Sequence, residues 1–374
     1  MIKKNLIWSI VLLLLFGSFA SAGEKYFNEG RCGKGELIYE NDIPVLHLYG
    51  NPEERGRQYG TLLKPQINKM LNVTLPLAWG MAVKNESSEE IMSRIRSMEE
   101  KIPDDVMTEM KSAAEAADVP YKKLLIGNTL SDAKKILECS TVCVYDDATS
   151  GGQIFFVRHL DFPSLGLLNK LGLVVVYHVE NGYDFASVSF PGFMGVLTGM
   201  NEKGLSIGVM ETYGYDFHPG RKPYCMQFRE ILQSCAYGNE AKSFLEKAVF
   251  ATSNNLMICD ASGAPFVAEI TPDKTYFRYP EKDSVFSTNH FESKEIYQGG
   301  GCPRYAFLRK FTEENHGNIT LDQVKLSLRK TAIPLLNIQA MIFEPDDLHL
   351  HLSMGNIPAA KGTYSVLNAA DFRF

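Results

Sequence analysis

Glu138-Cys139-Ser140-Thr141-Val142-Cys143-Val144-Tyr145, then Asp146-Asp147-Ala148-Thr149-Ser150-Gly151-Gly152, then Gln153-Ile154-Phe155-Phe156-Val157-Arg158-His159-Leu160-Asp161 is the stretch that decides the fold. Two apolar, β-branched runs flank a polar turn that contains glycine, a pattern that predicts an antiparallel hairpin. Its first strand begins at a cysteine and its second ends in Arg158-x-x-Asp161. A cut before Cys139 leaves that residue with both a thiol that can attack and an α-amino group that can take its proton.

Working outward, the period of two continues beyond the hairpin. Strands are expected at 139–147, 153–160, 172–180, 184–190, 194–199 and 204–212, and again at 254–260, 264–271, 275–279, 339–345 and 348–354. Helical patterns fall at 223–236, 239–249, 303–313 and 320–331. Upstream, Gly35 to Leu48 reads as a strand, and Asn51-Pro52-Glu53-Glu54 opens a helix expected to run through Gly60 to about Met70. Residues 87–138 read as mostly helical, with breaks at Asp104 and at Asp118-Val119-Pro120. Antiparallel strands interrupted by helix pairs predict an α+β fold of sheets covered by helices.

Residues 1–22 have the form of a secretory signal: Lys3 and Lys4, an apolar run from Leu6 to Phe16, and Ala20-Ser21-Ala22 as the cleavage site. That run is short for a bilayer span, so a secreted or periplasmic product without an integral membrane anchor is expected. Removing it leaves 36 basic and 44 acidic residues, a formal charge of −8 against −6 for the whole chain. An acidic chain argues against nucleic acid as a partner. The 45% apolar content allows a sizeable core.

Seven cysteines, at 32, 139, 143, 225, 235, 259 and 302, suggest some disulfides in an exported protein. Cys139 and Cys143 share a strand face and would lie about 13 Å apart, beyond bonding reach. No zinc-type spacing occurs, so no metal is expected. His349 and His351 alternate on one strand face, which reads as a solvated face rather than a metal pair.

Several motifs carry a resemblance in order and spacing. They are Gly50-Asn51-Pro52-Glu53-Glu54-Arg55-Gly56-Arg57-Gln58-Tyr59-Gly60, the Cys139 strand, Arg158-His159-Leu160-Asp161, Gly199-Met200-Asn201-Glu202-Lys203-Gly204-Leu205 and Ser287-Thr288-Asn289-His290-Phe291. From about Pro44 onward the chain resembles the acyl-coenzyme A:6-aminopenicillanic acid acyltransferase (isopenicillin-N acyltransferase) family of N-terminal-nucleophile hydrolases. Acid ceramidases and bile-salt hydrolases are more distant relatives. The resemblance implies an αββα sandwich of two antiparallel sheets and autocatalytic cleavage between Glu138 and Cys139. Residues 23–138 would form a mostly helical α chain and residues 139–374 a catalytic β chain, associated as one globular domain. Family members usually have a small residue where this chain has Glu138.

The expected chemistry follows from the residue types. A thiol is weakly nucleophilic at its ordinary pKa and needs a base or positive charge beside it. Arg158, across the hairpin, would favour the thiolate, and Asp161 would hold the α-ammonium. Asn289 would offer an amide N–H to a developing oxyanion. Arg304 resembles an arginine of acid-ceramidase-like relatives that contacts substrate or braces Asp161, and Glu211 occupies a place where relatives set a polar side chain near the scissile carbonyl. These features imply a self-cleaving amidohydrolase or acyltransferase that takes a small-molecule amide and needs no cofactor. The alternatives are a secreted binding protein that keeps the fold without activity, and an uncut Cys/His peptidase with His159 or His290 as base.

Overall fold

The structure, a computed structural model, describes residues 25–84, 86–214, 217–297, 299 and 301–374. The signal segment read at 1–22 lies outside them. Sixteen strands are described: β1 Gly30–Cys32, β2 Gly35–Glu40, β3 Ile43–Tyr49, β4 Glu138–Asp146, β5 Gly152–Asp161, β6 Leu173–His178, β7 Phe185–Ser189 and β8 Thr198–Asn201, followed by β9 Ser206–Glu211, β10 Asn254–Cys259, β11 Phe266–Ile270, β12 Thr275–Arg278, β13 Ser284–Ser287, β14 Asn337–Glu344, β15 His349–Met354 and β16 Ser365–Leu367. They form a ten-stranded sheet in the order β1-β2-β3-β6-β7-β8-β9-β10-β11-β12 and a six-stranded sheet in the order β13-β4-β5-β14-β15-β16.

Alternation along β4 and β5 builds the layers. Cys139, Cys143, Phe156 and Leu160 point inward and share one core with Ile207, Val209 and Leu256 of the larger sheet. Val142, Val144, Phe155 and Val157 point the other way, onto Leu308, Phe311 and Leu328 of the helices Pro303–Asn315 and Leu321–Thr331. The helices Tyr224–Ser234 and Gly238–Lys247 lie against the larger sheet, and the first of them buries Phe228, Ile231 and Leu232. Two facing sheets between helical layers make the αββα sandwich expected from the sequence.

The glycine-rich motif at 50–60 serves packing. Asn51 caps the helix Pro52–Leu62 through a reciprocal box with Glu54, each backbone N–H donating to the other's side chain at 3.0 Å. Gly56 faces the helix Asp104–Ala117, where an added Cβ would come within 2.2 Å of the Glu109 carbonyl oxygen. Beside it, the buried Glu109 carboxylate takes Arg55 at 3.1 Å and Arg229 at 2.7 and 2.9 Å. Removing the Glu109 carboxylate would leave two buried guanidinium groups without a counter-charge, at a cost of about 3–5 kcal/mol or more.

The structure corrects several expectations. Gly35 to Leu48 is a hairpin rather than one strand, because Asn41 and Asp42 both take positive φ (48° and 68°) and turn the chain. The helix from Asn51 ends at Leu62 and gives way to Lys64–Lys69 and a π-turn at Met70–Thr74. The larger sheet is not wholly antiparallel. β3 runs parallel to β6, which the long crossover between residues 49 and 173 permits. All seven cysteines are free and five of them are buried, so the expected disulfides are not formed. Among the described residues, no helix is long and apolar enough to cross a membrane.

Candidate active site

The helix Tyr121–Ala133 ends four residues before β4, so Glu138 and Cys139 sit where helix passes into strand. Register then decides what surrounds them. β5 pairs Leu160 with Cys139 and Arg158 with Thr141, which places Arg158 one step along on the thiol's face. Its guanidinium donates to the Cys139 sulfur at 3.2 Å and to the Val209 carbonyl at 2.8 and 3.0 Å, and also bonds Thr198 Oγ1. Burial pushes the Cys139 thiol up to about 12, against the opposing pull of Arg158. In the uncut chain this sulfur is therefore a thiol, held next to a cation.

On the other side, β13 pairs Ser287 with Thr141, so position 289 falls opposite Cys139. Asn289 Oδ1 accepts the Cys139 N–H at 2.9 Å, while its amide donates to the Glu211 carbonyl at 2.7 Å and the Leu137 carbonyl at 3.3 Å. Arg304, in the first turn of Pro303–Asn315, donates to the Cys139 carbonyl at 2.8 Å, to Glu138 Oε2 at 2.6 Å and to Asn289 Oδ1 at 3.0 Å. The sulfur, nitrogen and carbonyl oxygen of Cys139 are thus held by Arg158, Asn289 and Arg304 respectively.

Glu211 closes the N-terminal approach. Its carboxylate accepts the N–H groups of Ile136 and Leu137 at 2.7 and 2.8 Å and the Tyr224 hydroxyl at 3.1 Å. It therefore grips the residues before the Glu138–Cys139 bond rather than the carbonyl of that bond. Burial raises its pKa, and the nearby Lys135 opposes this. Lys135 is buried too, which lowers its own pKa, and it bonds Thr252 and Asn254 at 2.9 Å each.

Asp161 stands apart from the thiol. Glu138 is its partner in register, and its carboxylate accepts from Ile333 N at 3.1 Å and Asn337 Nδ2 at 3.0 Å, behind the strand. In the uncut chain the Cys139 nitrogen is bound by Asn289, not by Asp161. Neither histidine of the Cys/His alternative serves the thiol: His159 pairs with Ser140 on the opposite face, and His290 bonds Thr288 and Glu292. At the far end of the smaller sheet, His351 is buried and bonded to Glu344 instead of lying on a solvated face, and Glu344, Asp347 and His349 gather with ligand atoms within 4.8 Å of one another.

Sequence reading missed Lys135, Tyr224, Thr198 and Asn337, which support the site from four separate elements and follow no common spacing. It also missed the shape of the neighbouring cavity. That cavity, about 130 Å³, is bounded by Leu137, Leu160, Met70, Leu71, Phe162 and Phe193 among others, with little polar surface. Leu160 is the register partner of Cys139, so the apolar recess is separated from the thiol by the width of that neighbouring side chain.

A helix-layered sandwich with a cysteine at the start of a central strand is the class that the motifs resemble. The comparisons agree: residues 149–319 match the model of the family described as Acyl-coenzyme A:6-aminopenicillanic acid acyl-transferase, a stretch that holds Arg158, Asp161, Glu211, Asn289 and Arg304. Protein dcd1A of Dictyostelium discoideum is 29% identical over 227 residues, covering 52% of this chain and 50% of that protein. Protein dcd1B of the same organism is 26% identical over 217 residues, covering 52% and 43%. The chain thus spans about half the length of these curated relatives. Among solved structures, a conjugated bile acid hydrolase from Clostridium perfringens matches 62% of this chain and 92% of its own, at 15% identity and a TM-score of 0.45.

Proposed function

We propose that this chain is an exported, self-cleaving amidohydrolase or acyltransferase with Cys139 as nucleophile, acting on a linear, non-peptide amide with an apolar acyl group. The carrying observation is the threefold grip on Cys139 by Arg158, Asn289 and Arg304. The family description, an acyl-transferase, supports the same reaction class.

In self-cleavage the Cys139 sulfur attacks the Glu138 carbonyl carbon, the carbon–nitrogen bond breaks, and the nitrogen leaves as the new α-amino group with the thiol's proton. Water then hydrolyses the thioester and frees the Glu138 carboxylate. An amide substrate repeats these steps between chains: acyl group to sulfur, amine away with the proton, water or a second amine resolving the thioester. Asn289 and backbone N–H groups stabilise the oxyanion, and the recess beside Leu160 receives the acyl group. Fixed donors of this kind typically contribute about 10²–10³ in rate.

The test is the intact mass and N-terminal sequence of the purified protein and of Cys139→Ala. Two fragments, one beginning Cys-Ser-Thr-Val, with the variant whole, are expected. A single uncut chain in both samples sinks the mechanism and favours a binding protein that retains the fold.

A further inference from the structure

One helix of this chain is apolar on every side and yet reaches the surface. Leu75–Ala82, of sequence Leu-Pro-Leu-Ala-Trp-Gly-Met-Ala, contains no charged, hydroxyl or amide side chain. A surface helix ordinarily turns a polar face to water, and one that is hydrophobic all round is ordinarily covered. Here Ala78 and Ala82 are buried and Leu75 and Trp79 half-buried, but Leu77 and Met81 stand 40% and 38% exposed, with Pro76 and Gly80 bare beside them. Val73, in the preceding π-turn at Met70–Thr74, is 47% exposed. Val73, Leu77 and Met81 are spaced by four and so share one face.

The rim of this face is basic. Between Glu54 and Glu86 the sequence holds no acidic residue, while Arg57, Lys64, Lys69 and Lys84 are all exposed, in a chain whose net charge is −6. Lys69 lies four residues before Val73. The Lys84 N–H donates to the Met81 carbonyl at 3.4 Å, and Lys123 reaches from the helix Tyr121–Ala133 to Asn72 Oδ1 at 2.7 Å. The neighbouring acids are engaged: Asp118 lies 3.9 Å from Lys64, and Glu86 pairs with Arg94 at 2.6 Å and with Lys134.

We propose that this face seats the protein on the surface of a membrane that contains anionic lipid, with Val73, Leu77 and Met81 in the boundary between headgroups and acyl chains and the lysines against the lipid phosphates. An interfacial helix lies in the membrane surface and need not cross it, and each lysine near an anionic leaflet adds attraction. Lysine is depleted at protein–protein interfaces, so the basic rim favours lipid over a protein partner. The inner face of the same segment favours it too, because Met70, Leu71, Thr74, Leu75 and Ala78 wall the apolar cavity beyond Leu160. One helix diameter, about 10–12 Å, therefore separates the exposed side chains from that cavity. An apolar amide dissolved in the membrane would have only this distance to travel. That consequence rests on the reading of the cavity as the acyl recess, whereas the docking itself does not.

Trp79 makes the test specific, since Trp8 is the only other tryptophan. In a Trp8→Phe background its emission reports on this helix alone. Vesicles of phosphatidylcholine with phosphatidylserine should sediment the protein and move the emission to shorter wavelength, and phosphatidylcholine alone should bind about tenfold more weakly. Leu77→Glu, whose folding circular dichroism checks, should weaken binding about tenfold or more. Lys69→Glu should weaken it only where phosphatidylserine is present. Val249→Glu, at an apolar side chain 54% exposed elsewhere, should change neither signal. The absence of sedimentation, an emission that does not move, or binding unaltered by Leu77→Glu overturns the proposal. So does a dimer in solution that Leu77→Glu dissociates while no vesicle is bound, which would assign the face to a second copy. Cys139→Ala must bind vesicles as the parent does, so failure of self-cleavage and failure of docking are read separately.

Discussion

Gly208 lies directly against Arg158: a Cβ at position 208 would come within 2.8 Å of the arginine Cδ and 3.2 Å of Phe156 Cζ. The arginine side chain lies over this bare stretch of β9, between the sheets, where it meets the Cys139 sulfur of its own sheet and the Val209 carbonyl and Thr198 hydroxyl of the other. Gly208→Ala should cost about 1–3 kcal/mol through overpacking and displace the arginine. Denaturant unfolding reads the first effect, and the rate at which two fragments appear in mass spectra reads the second. A variant as stable as wild type that cuts at the wild-type rate would show that Arg158 does not depend on the gap.

Arg304 and Glu138 are bonded to each other, yet their substitutions should differ. Arg304→Ala removes the donor to the Cys139 carbonyl and to Asn289, so cutting should slow roughly ten- to a hundredfold. Glu138→Ala removes only a partly exposed carboxylate and leaves Arg304 its acceptors on Cys139, Ser140 and Asn289, so cutting should stay within about threefold. Time courses of intact mass for the two variants check the contrast.

The buried Cys139 thiol, pushed up to about 12, should resist alkylation at neutral pH while Glu138 and Cys139 remain joined. Its labelling should rise about tenfold per pH unit through the alkaline range, because only the thiolate reacts. Mapping the peptide that spans the uncut bond gives this slope. A flat profile would mean that the sulfur is already ionised.

Asp132 lies beneath the same segment, and burial raises its pKa from 3.8 to about 7, against the opposing charge of Lys135. A raised carboxylate binds its proton more tightly in the folded state. Its contribution is therefore complete below pH 3.8 and is lost as pH rises to about 7. Asp132→Asn should flatten that decline, which is on the order of a few kcal/mol. Urea unfolding at several pH values between these limits tests it, and an unchanged slope would assign the pH dependence elsewhere.

Much of this architecture was legible because β4 and β5 advertise themselves. Alternation fixed which face of each strand is inward, and a glycine-containing turn joined them. Cys139, Arg158, Asn289 and Arg304 meet much as their motifs suggested. What stayed hidden depends on distance in space. Nothing local in Gly35 to Leu48 forbids one long strand, and only the turn at Asn41-Asp42 breaks it. Asp161 shares a motif with Arg158 but, three residues on, it falls on the opposite face of the strand. Lys135 has an ordinary sequence context, and its role near Glu211 appears only once β9 and β10 are in place.

The parallel pairing of β3 with β6, from Val45 opposite Val174 to Tyr49 opposite His178, bears on the protein's history as well as its shape. A cut at Glu138 assigns β1, β2 and β3 to one fragment and the rest of both sheets to the other, so a single sheet becomes a two-chain object without a strand moving. The uncut chain would refold from denaturant in a first-order process. The cut protein would have to find its missing strands by collision, at a rate proportional to concentration. Self-cleavage would thus convert a fold that any one molecule can regain alone into one that each molecule assembles only once unaided.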